Sequence, residues 1–334
     1  MRQSFKKFKA WQKDFLARRP HRTFRLSRRR DYVRELELPG YIAFTHFVNK
    51  TIWANKKLLL GLAAIYLTLF VVVIGIGSQD TYTALADSLN ETAVSITGGD
   101  LSQLALAGVL FVTIATVGVT DAPSESQQIF VVILGLLVWL TTVWLLRNRM
   151  AGHNVKLRDA LYNAGAPIVP LFLVVLVFLV QLIPILLAVV AYDAATTSGL
   201  LNSGVEAMLF WIAAILLGLL SIFWATSTLF AMVLVTLPGM YPFKALRSAG
   251  DIVLGRRVRI LLRWVWMLLV VVVFWAVVLI PLIFIDQWLK SIWPAFENVP
   301  VIPAALAVIG TISIVWLSSY IYLLYRKVVD GSTK

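Results

Sequence analysis

The chain has 334 residues, of which 60% are hydrophobic and 14% are charged, and twelve of them are Trp. This composition is outside the range of soluble globular proteins and typical of a polytopic membrane protein. Cysteine is absent, which excludes disulfides, thiolate metal sites and a cysteine nucleophile. The net charge is +13, and its distribution along the chain points to the membrane before it points to nucleic acid.

A basic arm over residues 1–40 comes first in the chain. Residues 1–57 contain 16 Lys or Arg and no apolar stretch long enough for a signal peptide, so we expect the arm to remain in the mature protein. In "SFKKFKAWQKDFLARR", the spacing predicts that Phe5, Phe8, Trp11 and Phe15 form one face of a helix, opposite the lysines. Contact with anionic lipid is the favoured interpretation of this arm, and an acidic partner protein is a less favoured alternative. Binding to RNA or a ribosome is another less favoured alternative.

Six segments are apolar over roughly the 20 residues that a membrane-crossing helix needs. They are residues 58–77, 129–146, 167–191, 207–236, 260–285 and 301–325. A seventh segment, "LALAGVLFVTIATVGV" at 104–119, is 16 residues long. The fold class predicted from these segments is all-α, with six transmembrane helices in a membrane domain over 41–325 and a short tail over 326–334.

The positions of the cations choose between six and seven spans, since Lys and Arg stay cytoplasmic. With six spans, 29 of the 30 Lys and Arg residues lie on one side and only Lys290 lies on the other. Counting 104–119 as a span would leave 17 cations facing 13. We therefore expect both termini to be cytoplasmic, and 104–119 to be a re-entrant piece or a helix at the outer face.

Three related tetrapeptides indicate an internal repeat: "WLTT" from Trp139, "WATS" from Trp224 and "WLSS" from Trp316. At an offset of 85, "DALYNAG" also aligns with "KALRSAG". The repeat units cover about 41–146, 156–236 and 241–325. Each is predicted to hold a cytoplasmic amphipathic surface helix followed by a hairpin of two spans, and the three hairpins have the same orientation.

The third surface helix is predicted in "YPFKALRSAGDIVLGRRVRILLRW", residues 241–264. Phe243, Leu246, Ala249 or Gly250, and Val253 or Leu254 have helical spacing and are predicted to face the bilayer, with Lys244 and its charged neighbours on the other side. Cations near such helices and span ends attract anionic headgroups. The candidate headgroup-binding residues are Lys56, Lys57, Arg147, Arg149, Lys244, Arg247, Arg256, Arg257 and Arg259.

Catalytic and cofactor motifs are missing from the sequence, so no catalytic residue, metal site or cofactor is predicted. The predicted span cores contain no Asp, Glu, Lys or His, which argues against proton-coupled transport. The polar residues of the spans have two interpretations: hydrogen bonds that hold helices together, or the lining of a polar cavity on a threefold axis. These residues are Thr141, Thr142, Gln181, Thr226, Ser227, Ser318 and Ser319.

"ALRSAGDIVLGRRVRILL", followed by a long span, resembles the membrane module of glycerophosphoryl diester phosphodiesterases and related six-span bacterial proteins. The resemblance covers about residues 156–325. It implies a six-span architecture and a location in a bacterial plasma membrane, but it identifies no catalytic residue. The leading hypothesis is a non-enzymatic multi-pass membrane protein whose basic surface helices bind anionic lipid, with a partner protein as a further candidate, and which acts in envelope organisation or as a membrane scaffold. The alternative is a transporter or channel-like permease for a neutral or lipidic substrate. A third reading is an assembly or insertion factor.

Overall fold

A computed structural model describes residues 38–73, 125–202, 204–293 and 301–330. Within these ranges the secondary structure is helical and contains no strand. Nearly all of the basic arm, the whole of segment 104–119 and the last four residues lie outside the described residues. The predicted all-α class is confirmed for the described part of the chain.

The described helices fall into three groups, each with one short helix and two long ones. The first group is α1 (Tyr41–Ala54), α2 (Lys56–Val73) and α3 (Glu125–Met150). The second is α4 (Leu157–Ala164), α5 (Ile168–Thr197) and α6 (Gly204–Leu234). The third is α7 (Pro242–Val253), α8 (Arg257–Ile292) and α9 (Val301–Asp330). One turn of 3₁₀ helix, Leu200–Asn202, lies between α5 and α6.

All six long helices are long and apolar enough to cross a membrane. Each coincides with one predicted span, so the prediction of six spans is confirmed by length and composition. Helix α8 is longer than its predicted span and continues to Ile292, which brings Asp286 and Lys290 into the helix. Pro184 in α5 and Pro281 in α8 lie inside continuous helices. The amide of Ile185, next to Pro184, donates to the Ser221 hydroxyl of α6 at 3.2 Å.

Local sequence signals explain where the short helices α4 and α7 begin. Helix α7 has Pro242 at its first position, where the missing amide proton costs no hydrogen bond. In α4, the carboxylate of Asp159 accepts a hydrogen bond from the backbone amide of Lys156 at 3.0 Å, which caps the helix N-terminus. The turns before these helices contain Gly152 and Gly239 with φ of 87° and 73°. Such backbone conformations favour glycine.

Helix α9 lies at the centre of the described structure and packs against α1, α2, α3, α6 and α8. Around it, α5 packs against α6, and α2 packs against α3. The short helices pack on the long ones: α1 on α9 and α2, α4 on α2 and α3, and α7 on α5 and α6. Helices α3 and α9 are about half buried, whereas α5, α6 and α8 leave most of their apolar surface exposed. That surface is suited to contact with lipid.

Candidate functional site

The buried face of α7 includes Ala249 and Val253 of the predicted apolar face but not Phe243, and it packs against protein rather than against lipid. Ala245, Ala249 and Val253 are fully buried, in a helix that packs against α5 and α6. Phe243 was predicted to lie on the apolar face with Ala249, yet its side chain is 85% exposed. Alanines allow two helix backbones to approach closely, so the small residues rather than the large one mark the packed face.

Each short helix, or the residues just after it, has an exposed aromatic residue and an exposed cation. At the end of α1, Trp53 is 69% exposed and its ring centroid lies 4.7 Å from Nζ of Lys56. In α4 the corresponding exposed residues are Tyr162 and Arg158. In α7 the exposed aromatic Phe243 precedes Lys244 in the sequence. Aromatic residues beside cations are typical of the boundary between headgroups and hydrocarbon.

Five of the nine candidate headgroup cations have exposed side chains: Lys56, Lys57, Lys244, Arg247 and Arg259. The other four are turned toward the protein. Arg149 donates from Nε to Oδ1 of Asn55 at 3.0 Å, and Arg257 donates to the carbonyl of Phe223 with its guanidinium 3.7 Å from the Phe223 ring centroid.

The remaining two arginines bind backbone carbonyls at helix C-termini. Arg147 of α3 donates to the carbonyl of Thr236, just after α6, at 2.8 Å. Arg256 is 4% exposed and donates to the carbonyl of Val328, near the end of α9, at 3.4 Å. Carbonyls in the last turn of a helix have no intrahelical partner, and the helix dipole favours a cation there. We therefore assign these two arginines to helix packing and leave them out of the proposed headgroup site.

Arg263 of α8, close to the start of that helix, has a role that no sequence motif indicates. Its side chain is 6% exposed and donates to the carbonyls of Pro39 and Gly40, just before α1. Its guanidinium carbon also lies 4.3 Å from the ring centroid of Tyr41. Arg263 thus fixes the start of α1 on α8, through hydrogen bonds and a cation–π contact.

The hydroxyl pairs of the three tetrapeptides hydrogen-bond mainly to their own helices. Thr141, Thr226, Ser318 and Ser319 each donate to the carbonyl four residues earlier, at 2.7–2.8 Å. Ser227 donates to the carbonyl of Trp224 at 2.9 Å. These contacts are those of hydroxyls within packed membrane helices, so they give no support to a polar cavity. Thr142 is fully buried and its hydroxyl has no hydrogen-bond partner in the described structure.

Gln181 makes a hydrogen bond between helices. Oγ1 of Thr228 in α6 donates to Oε1 of Gln181 in α5 at 2.6 Å. We predict that Thr228→Val, which removes the hydroxyl but keeps the side-chain shape, lowers the free energy of unfolding by about 0.6–1.7 kcal/mol. The matched control is Thr226→Val, because the Thr226 hydroxyl contacts only carbonyls of its own helix. Equal losses in reversible unfolding in mixed micelles would contradict this role for Gln181.

Helix α8 contains a buried ion pair that lies beyond the end of the predicted span. Asp286 is 4% exposed, and its Oδ2 accepts a hydrogen bond from Nζ of Lys290 at 2.8 Å. The two residues are four apart on one helix, the spacing at which side chains meet. In the described part of the chain, no group of three His, Cys, Asp or Glu residues could hold a metal ion.

The six long apolar helices place the chain among multi-pass membrane proteins. Comparison with protein-family models, with curated proteins and with solved structures gives no match. The resemblance to the phosphodiesterase membrane module therefore stays a prediction.

Proposed function

We propose that this protein is a non-enzymatic membrane scaffold of the bacterial plasma membrane, which binds anionic lipid through its short basic helices. The observation that carries the proposal is the shared surface of the short helices. Each packs one face on the long helices and leaves an aromatic residue and a cation exposed. Both termini are proposed to be cytoplasmic, because the cations outside the spans then lie at the anionic inner surface.

The lengths and positions of the helices support a repeated design for this surface. Helices α4 and α7 begin 85 residues apart, at Leu157 and Pro242. The same offset relates Ala160 to Ala245 and Ala164 to Ala249, and all four alanines are buried. Helix α1, at the start of the first unit, packs on α9 at the end of the third. We propose three units of like orientation about an axis near the membrane normal, with the short helices in a ring.

The exposed cations of the three short helices are proposed to bind lipid headgroups and to have no catalytic role. In the proposed arrangement, headgroups bind to the exposed cations, and Trp53, Tyr162 and Phe243 lie at the boundary with the hydrocarbon. Each cation near an anionic surface contributes about 1 kcal/mol. The basic arm, residues 1–40, is proposed to strengthen this attachment or to bind an acidic partner protein.

The proposal predicts that the exposed cations of α7 set the preference for anionic lipid. Lys244→Gln and Arg247→Gln are each expected to lower the affinity for phosphatidylglycerol relative to phosphatidylcholine roughly fivefold, from the loss of about 1 kcal/mol per cation. The preference can be measured by native mass spectrometry of protein titrated with the two lipids.

The control for this experiment is Asp251→Asn, which removes an exposed negative charge from the same helix. It is expected to raise the preference, because it removes repulsion of the lipid phosphate. Added salt should weaken the preference of the unsubstituted protein, as expected for exposed charges. The proposed headgroup site is wrong if the preference is unchanged in a protein with Lys244, Arg247 and Arg259 all replaced by Gln.

A further inference from the structure

Arg257, the first residue of α8, reaches a different level of the bundle from its neighbour Arg256. Arg256 donates to the carbonyl of Val328, near the end of α9. Arg257 instead donates to the carbonyl of Phe223 in α6, and its guanidinium carbon lies 3.7 Å from the centroid of the Phe223 ring. An arginine near the end of a membrane-crossing helix usually extends toward the headgroups, so the direction of this side chain needs a physical reason.

The Phe223 carbonyl lies deep in the membrane-crossing part of α6. From Phe223 to Leu234, the last residue of α6, the helix rises about 16 Å at 1.5 Å per residue. One leaflet of the hydrocarbon core is about 15 Å thick, half of the usual core thickness. The stretch from Phe223 to Leu234 contains no charged residue, so nothing in it marks an earlier exit from the hydrocarbon. The guanidinium of Arg257 therefore lies below the headgroups, within the hydrocarbon layer.

The contact between α6 and α8 is open to lipid at this level. Phe223 is 50% exposed, and one turn earlier in α6 Leu219 is 56% exposed. On α8, Val258 is 69% exposed. Arg257 itself is only partly buried. Its guanidinium can therefore be reached from the lipid side of the contact between the two helices.

The charge of Arg257 has no negatively charged partner among the described residues. Neither of the two ion pairs in that part of the chain includes Arg257. The Phe223 carbonyl also accepts a hydrogen bond from Oγ1 of Thr226 at 2.8 Å, and a carbonyl or an aromatic ring offers only partial negative charge. A cation within the hydrocarbon is costly unless it is paired. An anion at this place would therefore stabilise the folded protein.

We propose that the lipid-facing contact between α6 and α8 binds the phosphate of a membrane phospholipid, which Arg257 holds below the usual headgroup level. The guanidinium uses one N–H donor for the carbonyl of Phe223, and its other donors form a fork that suits phosphate oxygens. A phosphate held at this depth makes the bilayer locally thinner beside α6. The inference goes beyond the proposed function, because all phospholipids share the phosphate and the site needs no preference for anionic lipid.

The test uses the full-length protein in phosphatidylcholine vesicles that contain a small amount of phospholipid with a diazirine on its headgroup. After photolysis, the crosslinked residues are identified by mass spectrometry. Headgroups at their usual level would label the helix ends, whereas the proposed site predicts additional crosslinks on Phe223 and Leu219. Because the host lipid has no net charge, this result does not depend on the preference for anionic lipid proposed above.

Arg257→Gln removes the charge and should lower the headgroup crosslinks on Phe223 and Leu219 roughly tenfold, since a hydrogen bond to a charged group contributes about 1.5 kcal/mol or more. The matched control is Arg326→Gln, which removes an arginine near the end of the long helix α9 and should leave those crosslinks unchanged. If Arg257→Gln does not elute as a folded protein, Arg257→Met provides an uncharged side chain of similar length with the same expected result.

Three results would overturn the proposed phosphate site. The first is headgroup crosslinking confined to the helix ends of the unsubstituted protein. The second is crosslinking on Phe223 that persists in both Arg257→Gln and Arg257→Met, since Arg257 would then serve only to pack α8 on α6. The third is loss of these crosslinks when inorganic phosphate is added, which would show that a free anion rather than a lipid occupies the site. Crosslinking at Phe223 together with no preference for phosphatidylglycerol in any variant would retain the phosphate site and reject the proposed function.

Discussion

Replacing Tyr320 by Ala is expected to lower the free energy of unfolding by about 3–5 kcal/mol, the usual cost of truncating a buried aromatic side chain. Tyr320 of α9 is fully buried. Its ring meets the ring of Phe44 in α1 edge to face, with centroids 4.9 Å apart and planes at 89°. Its hydroxyl lies 3.5 Å from the carbonyl of Arg263 in α8. The substitution therefore leaves a cavity where three helices meet, and it weakens the attachment of α1.

The loss can be measured by reversible unfolding of purified protein in mixed micelles, followed by circular dichroism. Phe284→Ala is the control, because Phe284 is a large aromatic residue on the long helix α8 that is 66% exposed. Its truncation should change the free energy of unfolding by less than about 0.5 kcal/mol. Tyr320→Phe keeps the ring contact and should lose no more than roughly 1 kcal/mol. Similar losses for Tyr320→Ala and Phe284→Ala would contradict the packing of α1 on α9.

The six long helices could be predicted from the sequence because their signal is strong and local. A membrane-crossing helix must satisfy its own backbone hydrogen bonds over about 20 residues, so length and hydropathy identify it without knowledge of its neighbours. Prediction was weaker at the helix ends. Helix α8 continues past its predicted end to include Asp286 and Lys290, since an ion pair four residues apart allows two charges to remain in the helix.

The face that α7 buries could not be predicted from hydrophobicity. A hydrophobic scale ranks Phe243 above Ala245, and the spacing of Phe243, Leu246 and Ala249 is helical. Close approach of two helices depends on small side chains instead. Ala245 and Ala249 are four residues apart and both are fully buried, so the signal was present in the sequence as the repeated alanine spacing. This alanine spacing is typical of packing against protein rather than of contact with lipid.

The partners of the cations could not be predicted from the sequence either. The positive-inside rule depends only on position along the chain. Whether an arginine binds a headgroup or a carbonyl depends on which helix end lies next to it in the fold. Arg256 reaches the carbonyl of Val328, 72 residues away in the sequence, and Arg263 reaches that of Gly40, 223 residues away. Contacts between residues so far apart in the sequence leave no pattern within any one segment.

Enlarging the buried alanines of α4 and α7 provides a test of the repeated design. Ala164→Leu and Ala249→Leu are each expected to lower the free energy of unfolding by about 1–3 kcal/mol, because extra methylene groups must fit into a closely packed helix contact. Ala164 is 1% exposed and Ala249 is 0% exposed. Leu has nearly the same helix propensity as Ala, so the loss reports on packing rather than on helix formation.

Asp251→Leu is the control for α7, because Asp251 is exposed on the same helix and its replacement introduces the same side chain without crowding. It is expected to change stability by less than about 0.5 kcal/mol. Similar losses for the two alanine substitutions would support equivalent roles for α4 and α7, each packed on the pair of long helices before it in the chain. A loss at Ala249 with none at Ala164 would reject that equivalence. The 85-residue offset would then reflect sequence similarity alone, and α7 would be a separate packing element.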